Sequence, residues 1–362
     1  MRRHFLHFSV HPAYWCVLLG LFATALFALH HASGLGDFLG VDERTNGKKT
    51  LKVFAAVTQP AESTVVTILS GERMVALGTV VSPLGYVVTK DSELPDKPIA
   101  ELSSGERFPV NVLARDRELD LALMIIPGAR LKPVRWGRSE GLKIGDWLVA
   151  PGQEDRSWVG VMSAKRRDIK RVGGALGVSL GDPRRRMEGV VVWAVVDGSP
   201  ADKAGILPGD QILRVGTKVV RSSEETVAAI QDYDPGDKVT LELNRDEGRM
   251  LIKVELGFYS IFDFRDRNQA MSGETSDRRN GFPNVIQHAV PLTPDAMGGP
   301  LVNLRGETVG INIARADRVT TYALPSERVT EAVRNMVEGL RNPVGVSSRE
   351  VSSSSSRPAS GL

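Results

Sequence analysis

Hydrophobic and polar positions fall into distinct regimes along the chain. Positions 14–29 (YWCVLLGLFATALFAL) carry no charge, stand between His11 and His30, and follow Arg2 and Arg3. A basic start followed by an apolar run is the arrangement of an export signal or a membrane anchor. The run is shorter than the roughly 20 residues of a usual spanning helix. Ala23-Thr24-Ala25, its small-x-small cleavage pattern, lies inside the run rather than after it. Both readings stay open, with the retained anchor the better fit. Either way positions 1–13 are expected on the cytoplasmic side and the body outside it, in the periplasm or cell envelope.

Positions 30–50 are polar, Gly-rich and aperiodic, and read as a linker. From 51 to 170 short apolar or alternating runs (64–69, 76–82, 86–89, 110–114, 121–126, 147–150) are broken by Gly, Pro and Asp. Strands this short suit a barrel or sandwich, and no amphipathic helix of three turns is expected among them. A second unit, 172–257, carries strand patterns at 176–180, 190–196, 211–215, 238–244 and 250–256. Its two helices are predicted at 199–204 and 222–233, the latter with Ser222 or Ser223 as N-cap and Glu224 and Glu225 in the first turn. Positions 258–283 turn polar and connect. Strand-like runs return at 285–289, 300–303 and 308–313, within a final unit of 284–341. Positions 326–340 close it as an amphipathic helix with Val329, Val333, Met336, Val337 and Leu340 on one side. The Ser-rich end, 342–362, reads as a disordered tail.

Composition narrows the chemistry. The chain has 362 residues, enough for two or three domains, with 42% hydrophobic and 25% charged residues, which excludes collagen-like, wholly disordered and polytopic membrane classes. A net charge of +3 makes no case for nucleic-acid binding. The one cysteine is Cys16, and His4, His7, His11, His30 and His31 all precede residue 32, leaving His288 alone downstream. The exported body therefore folds without disulfides, and its chemistry runs without thiols and almost without imidazole. No His/Cys cluster suggests a metal, and Asp116, Glu118 and Asp120, expected along one strand edge, read as solvated; no cofactor is expected. Lys165, Arg166, Arg167, Lys170, Arg171 and Arg184 to Arg186 read as solvated surface around the second unit.

Positions 78–94 (GTVVSPLGYVVTKDSEL) resemble the G-S-G-V-I-I-S-x-D-G-Y-I-L-T-N-N-H-V-V stretch of HtrA/DegP-like, trypsin-fold serine proteases. Positions 114–126, 136–150, 159–169, 285–313 and 322–326 match further segments in the family's order. The middle unit is similar to a PDZ domain, through GALGV at 174–178, SPA at 199–201 and PGDQI at 208–212. The resemblance implies a mainly β protein: a trypsin-like double β-barrel, split by an insertion, plus an α/β PDZ domain. It also implies a homo-oligomer, commonly a trimer.

The resemblance places Asp120 on the triad aspartate, Ser92 on the histidine and Met297 on the nucleophilic serine. A serine protease needs a hydroxyl nucleophile, an imidazole base and a carboxylate that orients it. A thioether cannot form an acyl-enzyme, and Asp295 stands where the family has a glycine of the oxyanion turn. The expectation is an inactive, HtrA-like scaffold for envelope protein quality control. The alternatives are an active endopeptidase of unfolded proteins, drawing on His288 or a Ser92–Lys90 arrangement, and a non-catalytic subunit of an HtrA-like oligomer. The PDZ resemblance implies binding of peptides or protein C-termini, with the carboxylate on the N–H groups of Leu176, Gly177 and Val178. Val227 and Ile230, three apart on the second helix, are expected to line the groove with Leu176 and Val178.

Overall fold

The computed structural model describes residues 40–153, 156–181, 188–246, 248–260 and 273–341. The expected signal or anchor, most of the 30–50 linker, Arg184 to Arg186, much of the 258–283 connector and the Ser-rich tail lie outside the described residues. Residues up to Thr50 and those from Leu51 form two compact units. In the first, Glu43 of the 3-10 turn Val41–Glu43 pairs with Lys49 at 2.9 Å.

In the second unit the alternating runs become a seven-stranded antiparallel sheet: β1 (Val65–Ser70), β2 (Arg73–Val80), β3 (Tyr86–Lys90), β4 (Ile99–Glu101), β5 (Arg107–Pro109), β6 (Asn111–Asp116) and β7 (Leu121–Ile125). Their spatial order is β5-β4-β1-β2-β3-β7-β6. Strands β4 and β5, three residues each, are too short to register as a period.

A closed six-stranded barrel follows, but its strands come from two separated stretches. Strands β8 (Trp147–Pro151) and β9 (Ser157–Ile169) join β16 (Phe282–His288), β17 (Pro300–Asn303), β18 (Thr308–Arg315) and β19 (Thr321–Pro325) in the cyclic order β16-β19-β18-β17-β8-β9. Between them lies a third sheet made of β10 (Val178–Gly181), β11 (Val190–Val195), β12 (Gln211–Val215), β13 (Lys218–Val219), β14 (Lys238–Arg245) and β15 (Gly248–Glu255). Its order is β10-β11-β12-β14-β15, with β13 paired to β12. The interruption is tolerated because its ends meet. Ile169 pairs with Phe282 in the barrel, and Ala175 and Gly257 exchange hydrogen bonds of 2.9 and 3.0 Å at the edge of the third sheet.

Among the described residues the α-helices are α1 (Lys48–Glu62), α2 (Pro200–Lys203), α3 (Ser223–Gln231) and α4 (Ser326–Arg341). Ser199 and Ser222 cap α2 and α3 by accepting from Asp202 N and Glu225 N. Helix α1 corrects the expectation that no long helix begins the 51–170 stretch. Its apolar stripe is narrow and Pro60 interrupts it, so the helix depends on packing that the pattern does not reveal: the ring of Phe54 lies 5.3 Å from that of Trp147 in β8. In α4, Val329, Ala332 and Met336 are buried, whereas Leu340 is 42% exposed and leaves the expected apolar face. One hydrophobic cluster joins Val88, Leu121 and Leu123 of the first sheet to Ile311, Leu324 and Met336, so sheet, barrel and α4 share a core.

Candidate functional site

The end of β3 and the turn before β7 bring Ser92 and Asp120 together. Ser92 donates its N–H to Asp120 Oδ1 at 2.8 Å and its hydroxyl to Oδ2 at 2.9 Å. Asp120 sits at φ 58°, a conformation few non-glycine residues adopt, and its carbonyl accepts from Asp91 N. Burial pushes the Asp120 carboxyl above its ordinary range, against the opposing pull of Lys90, Arg278 and the Ser92 hydrogen bonds. The carboxylate thus orients a hydroxyl, which spends its proton on that carboxylate.

Charged side chains enclose this pair, of which the sequence pattern singles out Lys90 but neither Glu93 nor Arg278. Lys90 is fully buried and its Nζ meets Glu93 Oε1 at 2.7 Å. Burial raises the Glu93 carboxyl, opposed by the Lys90 charge. Arg278 reaches the same corner from beyond the third sheet. It donates to the carbonyls of Arg117 and Glu118 at 2.5 and 2.7 Å, and its guanidinium lies 4.9 Å from the Phe282 ring. The described part of the 258–283 connector is therefore packed: Ser276 is fully buried and Arg315 N donates to its hydroxyl.

The expected row of Asp116, Glu118 and Asp120 is not one strand edge. Asp116 ends β6 and accepts from Leu119 N, Glu118 pairs with Arg328 at 3.7 Å, and Asp120 turns inward. The intervening turn gives each carboxylate its own direction. Among the described residues no three His, Cys, Asp or Glu side chains are grouped to hold a metal. In the basic stretch, Arg166 pairs with Glu327 and Arg171 with Asp234.

Met297 lies on the barrel side of this corner. Its side chain is fully buried in a cluster with Val65, Leu77 and Leu148. The residues before it wind into a 3-10 turn, Pro294–Ala296, so that Ala296 N donates to Thr293 O at 3.0 Å and Met297 N to Pro294 O at 3.1 Å. Gly298 follows at φ 87°, where a Cβ would stand 2.0 Å from Leu77 O, 2.5 Å from Thr89 Oγ1 and 3.0 Å from Lys90 N. Only glycine fits there. The Met297–Gly298 step therefore abuts the end of β3, two residues before Ser92.

His288 is fully buried in β16, and its Nδ1 accepts from Val290 N at 3.3 Å. Desolvation holds its pKa down to about 3, although the Asn312 side chain favours the charged form. Nε2 and Asn312 Oδ1 nevertheless reach hydrogen-bond geometry with no partner among the described residues. Asn312 is spent on the glycine turn instead, its backbone carbonyl accepting from Gly298 N and its Nδ2 donating to Gly299 O.

A second site lies on the third sheet. The loop entering β10 is pinned by its carbonyls and by its first amides: Gly174 N donates to Tyr233 O, Leu176 O accepts from Ala201 N, and Gly177 O accepts from Val196 N. The N–H groups of Leu176 and Gly177 donate to no acceptor among the described residues, although the loop is buried. Buried amides without partners are rare, and two in succession, with Gly177 at φ 80°, form a cradle for an anion. Strand β10 is the edge strand beside it. Leu176, Val178 and Ile230 join the hydrophobic core of this unit, but Val227 is 43% exposed. Residues three apart on α3 thus differ in burial, Ile230 reaching the core and Val227 lying open to solvent beside it.

Two family descriptions match this chain, over ranges that overlap at residues 174–200. The trypsin-like peptidase domain matches residues 76–200, and the PDZ domain matches residues 174–256. A probable periplasmic serine endoprotease DegP-like of Ectopseudomonas mendocina is 24% identical over 315 residues, covering 64% of this chain and 65% of the relative. A protein of the same description from Chlamydia pneumoniae is 24% identical over 266 residues, covering 50% of this chain and 54% of the relative. The chain thus spans between about half and two-thirds of the length of these curated relatives. A solved structure of the HtrA-type protease AlgW with decapeptide is 17% identical, with a TM-score of 0.28, and covers 56% of this chain and 98% of that one. With a trypsin-like peptidase domain, a PDZ domain and DegP-like relatives, the chain belongs to the HtrA/DegP-like family.

Proposed function

We propose that this chain is a non-proteolytic HtrA-like scaffold whose PDZ domain binds the C-terminal segments of peptides or partner proteins. One observation carries the first half: Met297 stands at the nucleophile position, fully buried, with its own N–H donated to Pro294 O. A thioether has no proton to lose, and a donated N–H is not available to an oxyanion. Ser92, at the histidine position, supports the same reading because it gives its proton to Asp120. The two unpartnered amides of Leu176 and Gly177 support the second half.

On this reading the first barrel and the start of the second occupy 51–170, the PDZ insertion 172–257, and the rest of the second barrel 284–341. The curated relatives are named as periplasmic, which favours an extracytoplasmic body, while the tether rests on the apolar run at positions 14–29 alone. Among the described residues no helix is long and apolar enough to cross a membrane, and positions 14–29 lie outside them. A homo-oligomer, or an assembly with active HtrA-like chains, fits the family.

The test is to incubate the full chain with unfolded casein and with a fluorophosphonate probe. Neither cleavage nor labelling is expected. Activity that disappears on Ser92→Ala, or on any other single Ser→Ala, would establish the rival reading, an active endopeptidase. That rival is favoured by the relatives' description as serine endoproteases.

A further inference from the structure

The outer face of the PDZ sheet carries a large apolar side chain close to its peptide-binding edge. Trp193 of β11 is 67% exposed, whereas Val190 and Val192 of the same strand are fully buried. A bulge turns it outward: Ser179 pairs with Ala194 and Leu180 with Val192, which leaves Trp193 as the extra residue. Across the pair lies Gly181, the last residue of β10. A Cβ at Gly181 would stand 2.2 Å from the indole Nε1 and 2.7 Å from Cζ2. Gly181 does not have positive φ, so the backbone does not demand glycine there. The indole does, because it lies across the glycine and reaches toward the rim where β10 has no further strand neighbour.

We propose that Trp193 is a specificity platform for the fourth residue from the end of a bound peptide, and that it selects an aromatic side chain there. This rests on the reading that the Leu176 and Gly177 amides hold a C-terminal carboxylate. With the carboxylate there, an antiparallel strand added along β10 sets its last residue opposite Val178 and its fourth from last opposite Gly181. Directly opposed residues share a face of the sheet. Val178 and Leu180 point into the core, so Ser179, Gly181 and the peptide residues opposite them lie on the face of Trp193. With only hydrogen on Gly181, the indole is open to a ring laid beside it. An offset aromatic pair adds to simple burial, and an aliphatic or charged residue gains less.

The experiment measures binding of the full chain to fluorescein-labelled octapeptides that differ only in Trp, Leu, Ala or Asp at the fourth position from the end. Each is made with a free carboxylate and as a carboxamide. The Trp peptide is expected to bind about fivefold more tightly than the Ala peptide, the size of a typical ring pair. Trp193→Ala should abolish that ratio while leaving the Ala peptide's affinity unchanged. Gly181→Ala, which displaces the indole without removing it, should lower the ratio as well. No preference in the unmodified chain, or a preference that survives Trp193→Ala, would overturn the platform and leave the carboxylate site standing. Carboxamides that bind as tightly as carboxylates would overturn both.

Discussion

Ser92 gives both its amide and its hydroxyl to Asp120, at 2.8 and 2.9 Å, and so occupies both oxygens of that buried carboxylate. The consequence is structural before it is catalytic. A buried acid at φ 58° is held by a neighbour that satisfies it without competing for charge.

The first prediction concerns pH. Asp120 and Glu93 both have folded-state pKa values above their ordinary 3.8 and 4.5. Each contributes stability that is full below its ordinary value and is lost as pH rises through the raised one. Asp120→Asn removes one of these titrations, and asparagine tolerates positive φ. Relative to the unmodified chain, the variant should gain stability as pH rises above the ordinary aspartate value of 3.8, where the unmodified chain loses the contribution of its raised carboxyl. Thermal unfolding across that rise in pH measures it; a gap that does not change with pH would contradict the prediction.

Lys90 and Glu93 form a buried pair, with side chains 0% and 16% exposed. Lys90→Met leaves a carboxylate without its partner, a loss of about 3 to 5 kcal/mol at neutral pH. The loss should shrink in acid, where Glu93 takes up a proton early because its pKa is raised. Adding Glu93→Leu should restore most of the stability, since an apolar replacement of a buried pair is often neutral. Urea unfolding of the two variants separates these outcomes.

On the proposed non-proteolytic reading, a histidine at 92 and a serine at 297 should not produce activity. Ser92→His with Met297→Ser supplies an imidazole and a hydroxyl, yet the 3-10 turn at Pro294–Ala296 still takes the N–H of residue 297. Truncating the fully buried Met297 also removes core contacts, at a cost of about 3 kcal/mol. Casein cleavage and fluorophosphonate labelling should stay at background while the unfolding midpoint falls. Labelling of residue 297 would show that the turn opens on its own.

In the PDZ unit the two α3 positions should behave differently. Val227→Asp, at an exposed position, should fold but weaken binding by charging the proposed groove, whereas Ile230→Asp buries a charge in the core and should unfold the unit. Gly177→Val, with φ 80°, strains the amide cradle and should reduce binding of a free-carboxylate peptide by about tenfold or more. Circular dichroism and fluorescence polarisation on the same preparations distinguish loss of fold from loss of site.

Much of the fold is legible in the chain. The runs that become β1, β3, β7 and β12 alternate or stay apolar for five or six residues between turn formers, and Ser222 announces the start of α3. The segments legible only in part depend on distant partners. Helix α1 has too narrow a stripe to declare itself without Trp147, and Leu340 matches the period of α4 yet lies past the surface that α4 covers.

The order of residues by itself determined which side chains are at hand. No cysteine follows Cys16, no histidine but His288 lies beyond residue 31, and a methionine stands immediately before the G-G-P-L segment; folding adds no side chain to that set. Tertiary structure alone decided what the remaining groups became. Lys90 looks like the polar end of a strand, and it is buried because Arg278, 188 residues later, returns to set its carbonyl 3.5 Å from Nζ. Val227 and Ile230 share a helical period but not an environment, because burial is set by what packs against a face and not by spacing along it.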